Sequence, residues 1–216
     1  MTSERQPVVP NTGYEPPRRV SAEDYLRLES RLATRHEYWH GWMYPRMHPP
    51  GSHWAMAGGT LAHARLIIRL LGLLDAHLSD GRCVVYTGDV RLYVTAEDYF
   101  YPDAFVICDG PTAPGLIEQH DAVLVVEVRS PSTAAFDQGD KLDAYSVLPS
   151  LREYLILDTR RMQATVYRRP PSEDWTRTVV LAGADLGLES INFHLPLARL
   201  YHGVRLEPET EDEGIG

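Results

Sequence analysis

The pattern of apolar residues predicts a set of short buried strands, of which residues 122–128 (AVLVVEV) form the clearest. Valine and leucine follow one another there without the polar alternation of a strand that has one face in water. This strand is therefore expected to be buried on both faces. Apolar segments at 104–108 and 153–157 predict neighbouring strands. Further strands are predicted at residues 83–86, 90–94, 164–168 and 178–181.

Three helices are predicted from caps and from the 3.6-residue period of apolar positions. Ser21 caps the first helix, with Asp24 at its third position, and an apolar stripe carries this helix to about His36. A long apolar helix covers residues 54–78, and a third helix covers about 137–147. The order helix, helix, strands, crossover helix, strand predicts an α/β fold with a mixed β-sheet flanked by α-helices.

At 216 residues with 44% hydrophobic content, the chain can form one core of generous size but not two full domains. We predict one domain over residues 20–206, with a flexible tail at 1–19 and an acidic tail at 207–216. There is no apolar stretch of membrane-spanning length, and the N-terminus MTSERQPVVP has no hydrophobic signal region, so a cytoplasmic protein is expected. Cys83 and Cys108 lack a CxxC spacing and are expected to be reduced core thiols.

The net charge of −9 argues against a protein that coats nucleic acid by charge alone. Five of the acidic residues lie in the last ten residues, which contain no base. The rest of the chain has 25 acids and 21 bases, a net charge of −4. Any contact with nucleic acid must then be local.

Acidic and basic side chains surround the buried strand 122–128. An ionised carboxylate inside such a strand costs several kcal/mol unless a cation compensates it, so Glu127 requires a partner. Side chains alternate along a strand, so Glu127 and Arg129 lie on one face. If Tyr101 to Cys108 is a neighbouring strand, Asp103 near its start can bring a second carboxylate to within about 5 Å of Glu127. Two such carboxylates suit magnesium, which leaves open positions for water and substrate phosphate.

Three segments around these residues, YPDAFVICDG, LVVEVRSPST and FDQGDKLDAYSVLPSLREYLILD, resemble the Uma-two family of bacterial restriction endonucleases, within the PD-(D/E)XK nuclease superfamily. The blocks follow the order of the family from about Ser21 to Tyr201. The resemblance implies a restriction-endonuclease-like core and a divalent cation, Mg²⁺ or Mn²⁺. It also implies that Asp103 is the aspartate of the PD motif and that Glu127 is the central acid.

The lysine of the superfamily pattern is absent two residues after Glu127, where this chain has Arg129. An arginine can hold phosphate bidentately, but with a pKa above about 12 it cannot readily deprotonate a water. The resemblance implies that the lysine has moved to the following helix, where Lys141 fits. Asp137, Lys141 and Tyr145 are spaced i, i+4 and i+8, so they share a helix stripe that can face the end of the strand.

A second motif competes with this interpretation, because His36, Glu37 and His40 spell HExxH. On a helix the two histidines would bind zinc and the glutamate would be the general base of a peptidase. Gly41 follows at once, so the second histidine would lie at a fraying helix end, and a zinc peptidase is kept only as a remote alternative. The nuclease resemblance instead suggests Glu37 as an acid from the first helix that joins the metal shell.

The sequence thus predicts a metal-dependent endonuclease that hydrolyses phosphodiester bonds of nucleic acid, with DNA as the expected substrate and, by analogy, a homodimer as the expected assembly. The predicted metal ligands are Asp103, Glu127 and Glu37, and the predicted catalytic residues are Asp103, Glu127, Lys141 and Arg129. Asp89 is a weaker accessory candidate, since its position after a glycine favours a turn. A catalytically silent member that binds nucleic acid or protein through the same groove stays open as the alternative, because Arg129 occupies the usual lysine position.

Overall fold

The computed structural model describes residues 16–46, 60–129, 140–170 and 174–208. Within these ranges the helices are α1 (Ala22–Glu29), α2 (Leu61–Leu78), α3 (Asp140–Ser146) and α4 (Leu197–Leu200), with a 3-10 turn at Glu189–Ile191. The first seven strands are β1 (Arg18–Arg19), β2 (His36–Trp39), β3 (Trp42–Pro45), β4 (Cys83–Thr87), β5 (Arg91–Thr95), β6 (Asp98–Phe100) and β7 (Ala104–Cys108). The others are β8 (Glu118–Gln119), β9 (Ala122–Arg129), β10 (Glu153–Asp158), β11 (Gln163–Arg168), β12 (Thr176–Leu181), β13 (Asp185–Leu188) and β14 (Phe193–Pro196).

The central sheet is mixed and has six strands, in the order β12-β11-β10-β9-β7-β4. β9 and β10 run parallel, whereas the other neighbouring strands of this sheet are antiparallel. Parallel neighbours need a crossover connection, and α3 lies in the connection between β9 and β10. The predicted α/β fold with a mixed sheet flanked by helices is therefore confirmed.

Helices cover both faces of the central sheet. Leu124 and Val126 of β9 share a buried apolar cluster with Leu66 and Leu70 of α2. The alternate residue Val125 belongs to a second cluster, which includes aromatic residues of α3 and β10. This burial on both faces is what the unbroken apolar run of β9 predicts. In the described part of the chain, no helix is both long enough and apolar enough to cross a membrane.

A second six-stranded sheet, in the order β1-β3-β2-β6-β5-β8, was not predicted as a separate layer. The first helix also ends earlier than predicted, at Glu29 rather than about His36. His36 instead begins β2, and the Glu29 carboxylate accepts a hydrogen bond from the His36 backbone N at 3.1 Å. The predicted cap is correct, since the Ser21 hydroxyl accepts from the backbone N of Asp24. The apolar stripe alone did not show that the side chain of Glu29 turns back onto the following strand.

The described structure extends past both predicted domain boundaries. Arg18 and Arg19 pair with β3, although the sequence placed them in the N-terminal tail. At the other end, the backbone N of Glu207 donates to the carbonyl oxygen of Thr159 at 2.9 Å, and its carboxylate accepts from the Thr159 hydroxyl at 2.8 Å. Hydrogen bonding to the domain thus includes residues from both segments that were assigned to tails.

The two cysteines form a disulfide, which corrects the prediction of reduced thiols. Cys83 of β4 and Cys108 of β7 stand directly opposite each other in an antiparallel register and are bonded through their sulfur atoms. The sequence showed that both cysteines lie in apolar strands. It could not show that these two strands are neighbours in a register that makes the cysteines partners.

Candidate functional site

Pairing between β7 and β9 brings the first two acidic residues of the site together. The antiparallel register joins Ala104 to Val126, so Asp103, just before β7, lies beside the carboxyl end of β9. Asp103 Oδ2 accepts a hydrogen bond from the backbone N of Val128 at 2.7 Å. The predicted neighbourhood of Asp103 and Glu127 is therefore present, and the ladder itself fixes it.

Helix α3 supplies the basic partner of Glu127. Lys141 Nζ lies 2.9 Å from Glu127 Oε1, and the Tyr145 hydroxyl donates to the same oxygen at 3.0 Å. Lys141 and Tyr145 are one helical turn apart, so both reach the face of β9 that carries Glu127. Glu127 is 5% exposed and Lys141 is 1% exposed, so this is a buried ion pair. Lys141 and Tyr145 of the predicted helix stripe therefore do face the strand.

Arg169 fixes the carboxyl end of α3. Its guanidinium donates to the carbonyl oxygens of Ser146 at 2.9 Å, of Leu151 at 2.7 and 3.1 Å, and of Leu148. These carbonyl groups lie at and just beyond the end of the helix, where partners are needed and positive charge is favourable. The strand β11, which ends directly before Arg169, thereby helps to set the position of Lys141.

Glu37 joins the cluster from β2, and its element differs from the prediction. Glu37 Oε1 lies 3.7 Å from Lys141 Nζ and accepts from the backbone N of Tyr101 at 3.4 Å. The Lys141 ammonium therefore contacts two buried carboxylates, those of Glu37 and Glu127. The sequence expected Glu37 on the first helix, but it lies on a strand because α1 ends at Glu29.

Behind Glu37 lies a buried network centred on Glu29. The Glu29 carboxylate accepts a hydrogen bond from the backbone N of His36 and lies 3.0 Å from Nδ1 of the same histidine. It also accepts a hydrogen bond from the Tyr101 hydroxyl at 2.8 Å. Burial by itself would raise the pKa of Glu29, but these hydrogen bonds outweigh burial and hold the pKa below its usual value. His36 directly precedes Glu37, and the backbone N of Tyr101 donates to the Glu37 carboxylate. The network therefore helps to hold Glu37 in its position in the cluster.

His63 of α2 contacts Asp103, which the sequence did not indicate. His63 Nε2 lies 3.2 Å from Asp103 Oδ2. Burial alone would raise the pKa of Asp103, but the contact with His63, the backbone N of Val128 and the charge of Lys141 lower it. Burial would likewise lower the pKa of His63, yet hydrogen bonding and attraction from Asp103, with the charge of Glu127, raise it.

The hydroxyl of Tyr145 remains a hydrogen-bond donor over a wide pH range. Burial raises its pKa well above the usual value, and the charges of Glu127 and Glu37 add to this effect. A neutral tyrosine can hold one oxygen of Glu127 without adding charge to the site. The sequence grouped Tyr145 with Lys141 on one stripe but did not include it among the predicted site residues.

Two predicted residues are not brought into the cluster. Arg129 ends β9 and is half-buried, and its carbonyl oxygen accepts from Thr159, but its guanidinium forms no ion pair with a described carboxylate. Asp89 is exposed in the turn between β4 and β5, where the Thr87 hydroxyl accepts from its backbone N. The turn role that the sequence favoured for Asp89 agrees with this position. Asp137, the third residue of the predicted stripe, lies outside the described residues.

The HExxH segment does not have the geometry of a zinc peptidase. His36 and Glu37 lie on β2, and His40 follows in the turn with a φ of 50°. A strand rises about 3.3 Å per residue, so two histidines four positions apart are roughly 13 Å apart, too far to bind one ion. Moreover, Nδ1 of His36 already contacts Glu29. The remote peptidase alternative is therefore wrong.

The donor chemistry of the cluster fits a hard divalent cation. Magnesium is usually bound through one or two carboxylates and keeps several waters, so Asp103 and Glu127 are sufficient as protein ligands, with Glu37 as a further carboxylate. Among the described residues, the hydrogen bond from Val128 N and the contact with His63 Nε2 both involve Oδ2 of Asp103. No three His, Cys, Asp or Glu side chains of the described residues are arranged to hold a metal by themselves. A cation here would depend on water or substrate for its remaining ligands.

The amino-acid sequence is similar to a known family model and to two proteins of one cyanobacterium. Residues 22–198 match the Uma2 (Uma-two) family model, described as "Putative restriction endonuclease". Two proteins of Synechocystis sp. are similar: slr1290 is 32% identical over 187 residues, 86% of this chain and 93% of that protein. The second, sll1609, is 29% identical over 165 residues, 75% of this chain and 88% of that protein. Both carry the description "Uncharacterized protein".

A solved structure from Anabaena variabilis has a similar fold. It is a putative nuclease belonging to DUF820, and it superposes with a TM-score of 0.61 at 17% sequence identity. The match covers 85% of this chain and 98% of the Anabaena chain. At this level of identity the likeness concerns the fold.

Proposed function

The chain belongs to the Uma2 family, and from the geometry of its site we propose that it is a metal-dependent endonuclease that hydrolyses phosphodiester bonds of DNA. One observation carries the proposal. The buried Lys141 ammonium contacts Glu127 Oε1 at 2.9 Å, at the same end of β9 where Asp103 accepts from Val128 N. Two acids and one lysine therefore converge at the carboxyl end of β9, an arrangement that suits phosphodiester hydrolysis with a divalent cation.

Each residue of the cluster has a distinct role in this proposal. Asp103 and Glu127 would hold Mg²⁺ or Mn²⁺, with Glu37 as an additional carboxylate. A bound cation lowers the pKa of a coordinated water and polarises a phosphate oxygen. Lys141 orients the attacking water or stabilises the charge that develops on the phosphate. Arg129, at the end of β9, grips a neighbouring phosphate group.

The balance of charges in the cluster supports the binding of a cation at this position. Lys141 Nζ lies 2.9 Å from Glu127 Oε1 and 3.7 Å from Glu37 Oε1, so two carboxylates share one ammonium group. Asp103 adds a third carboxylate nearby, whose pKa the charge of Lys141 helps to lower, so acids outnumber lysines among the described residues of the cluster; His63 contributes positive charge only when it is protonated. Such an excess of negative charge favours the uptake of a divalent cation.

Cleavage assays test the proposal. Supercoiled plasmid, single-stranded DNA and RNA would each be incubated with the full chain in Mg²⁺, Mn²⁺ or EDTA. We expect metal-dependent cleavage of DNA that D103N abolishes. D109N is the matched control, because Asp109 lies just beyond the opposite end of β7, in a surface ion pair with Arg82, and should retain activity. No cleavage of any substrate with either cation would overturn the proposal.

A catalytically silent binding module is the second candidate, and Arg129 in the usual lysine position favours it. In that case the buried Lys141–Glu127 pair would be purely structural. Electrophoretic mobility shifts with DNA would then be unchanged by EDTA, and manganese at millimolar levels would not bind. Metal-dependent cleavage would exclude this candidate.

We further propose that the enzyme acts as a homodimer. A duplex has two strands, and two copies of one site related by a twofold axis can reach both. Sedimentation equilibrium measures the assembly directly. A monomer in the presence of cognate DNA would contradict the dimer while leaving the cleavage chemistry untouched.

A further inference from the structure

His63 occupies a fixed position at the start of α2. Thr60 caps this helix, and its side chain accepts a hydrogen bond from the backbone N of His63 at 3.2 Å. The imidazole projects from the first turn toward the start of β7, where Nε2 lies 3.2 Å from Asp103 Oδ2. The side chains of His63 and Asp103 are 18% and 12% exposed, so water competes little for this contact.

Two nitrogen atoms converge on one oxygen of Asp103. The backbone N of Val128 and Nε2 of His63 both meet Oδ2, from the sheet and from the helix respectively. A carboxylate that is held on one oxygen from two directions cannot rotate freely about its Cβ–Cγ bond. Its other oxygen, Oδ1, then has a defined direction.

We propose that His63 is a positioning residue, which holds the Asp103 carboxylate through Oδ2 so that Oδ1 is presented to a divalent cation; this inference rests on the proposed metal-dependent function. Partners of this kind, one bond removed from the ligand atoms, orient ligating side chains and reduce the entropy lost when the ion binds. Nε2 carries a hydrogen in the protonated ring and in one neutral tautomer, so the role does not depend on the charge of His63.

The geometry favours positioning over direct ligation. The Nε2 atom faces Oδ2 of Asp103 at hydrogen-bonding distance, so it cannot bind a cation without giving up this contact. Nδ1 is on the opposite side of the ring from Nε2. A direct ligand would therefore require a different orientation of the side chain.

Manganese binding to the full chain tests the assignment without any substrate. Isothermal titration would compare the wild type with H63A, H63Q and H63M. We expect H63A and H63M to bind Mn²⁺ about 10- to 100-fold more weakly, the range typical for loss of such a partner. H63Q should recover most of the affinity, because its side-chain amide can donate from nearly the same position as Nε2. H77A is the matched control, since His77 lies on the same helix, contacts the carbonyl oxygen of Ile191 and should leave affinity unchanged.

The outcomes separate the inference from the function on which it rests. If the wild type binds Mn²⁺ and D103N does not, but H63M binds as tightly as the wild type, positioning by His63 is excluded. Nitrogen coupling in the electron spin echo spectrum of the manganese-loaded wild type, absent in H63M, would show direct ligation and also exclude it. A wild type that takes up no Mn²⁺ would overturn the metal-dependent function and this role together. If H63A does not fold, the comparison of H63Q with H63M still decides the question.

Discussion

Lys141 Nζ lies 2.9 Å from Glu127 Oε1 in a contact that is almost completely shielded from water, with side-chain exposures of 1% and 6%. Removing two charges from water is costly, and the attraction between them repays this cost only when geometry and further hydrogen bonds are good. The Tyr145 hydroxyl supplies such a bond to the same oxygen, and Glu37 Oε1 lies 3.7 Å from the same ammonium. Each partner therefore depends strongly on the presence of the other.

The first prediction concerns the stability of this pair. In metal-free buffer, K141M should lower the free energy of unfolding by about 3–5 kcal/mol, because it leaves buried carboxylates without their cation. The double variant K141M/E127Q should regain much of this loss, since the remaining side chains carry fewer uncompensated charges. Urea unfolding followed by circular dichroism measures both values.

The control for this cycle is R82M, because Arg82 forms an exposed ion pair with Asp109 and should change stability by less than about 1 kcal/mol. A K141M protein as stable as the wild type would mean that the buried contact is not formed in solution.

The second prediction separates the roles of the two bases at the proposed nuclease site. K141M should reduce the single-turnover rate of DNA cleavage by roughly 10²- to 10⁴-fold, as expected for a group that acts on charge developing in the transition state. R129A should instead weaken DNA binding with little change in the rate at saturation, since a phosphate clamp acts on bound substrate and transition state alike. Rates measured over a range of DNA concentrations distinguish the two effects. The reverse pattern would assign the catalytic place to Arg129.

The elements that place Glu127 and Asp103 could be predicted because their signals are local. The unbroken apolar run of β9 and the apolar segment of β7 located both strands, and their pairing is confirmed. Lys141 could be placed on the face of a helix by its spacing from Tyr145. The 2.9 Å contact with Glu127, however, depends on the crossover between β9 and β10, which only the folded chain fixes.

The features that escaped prediction depend on partners far away in the sequence. His63 is an ordinary helical histidine until α2 packs beside Asp103, forty positions later. The predicted extension of the first helix to His36 was wrong, because the helix ends at Glu29 and His36 begins β2. The Glu29 carboxylate accepts a hydrogen bond from the backbone N of His36. A histidine just after a capped helix start, together with a PD motif, is the one signal that could have suggested a pairing.

The third prediction uses the depressed pKa of Glu29. A carboxyl whose pKa is lower in the folded than in the unfolded state stabilises the fold above its unfolded pKa of about 4.3, and this stabilisation is lost as the pH falls through the folded pKa. E29Q should therefore cost about 1–3 kcal/mol near pH 7, and the difference from the wild type should shrink below about pH 4. Urea unfolding at several pH values gives this difference. A constant difference from pH 7 to pH 3 would contradict the role of the ionised carboxylate.

The fourth prediction concerns the disulfide between Cys83 and Cys108. Their separation of 25 residues implies that reduction should lower the free energy of unfolding by about 3.5 kcal/mol. Mass spectrometry after alkylation of the denatured, unreduced protein should show no modified thiol, whereas reduction should expose two. Modification of both cysteines without reductant would show that the thiols are free. This measurement also bears on location, because stable disulfides are uncommon in a reducing cytoplasm.

The register that pairs Ala104 with Val126 determines whether the site can form at all, because it fixes which face of β9 carries Glu127. Displacement of β9 by one residue would turn every one of its side chains to the opposite face, so Glu127 would point toward α2 and away from Lys141. No intermediate register exists between these two arrangements. An inserted or deleted residue within β9 before Glu127 would thus remove the acid and its lysine partner in a single event, whereas length changes in distant surface loops would leave the chemistry intact. Sequence drift in this fold can therefore silence the site abruptly while the surrounding architecture persists.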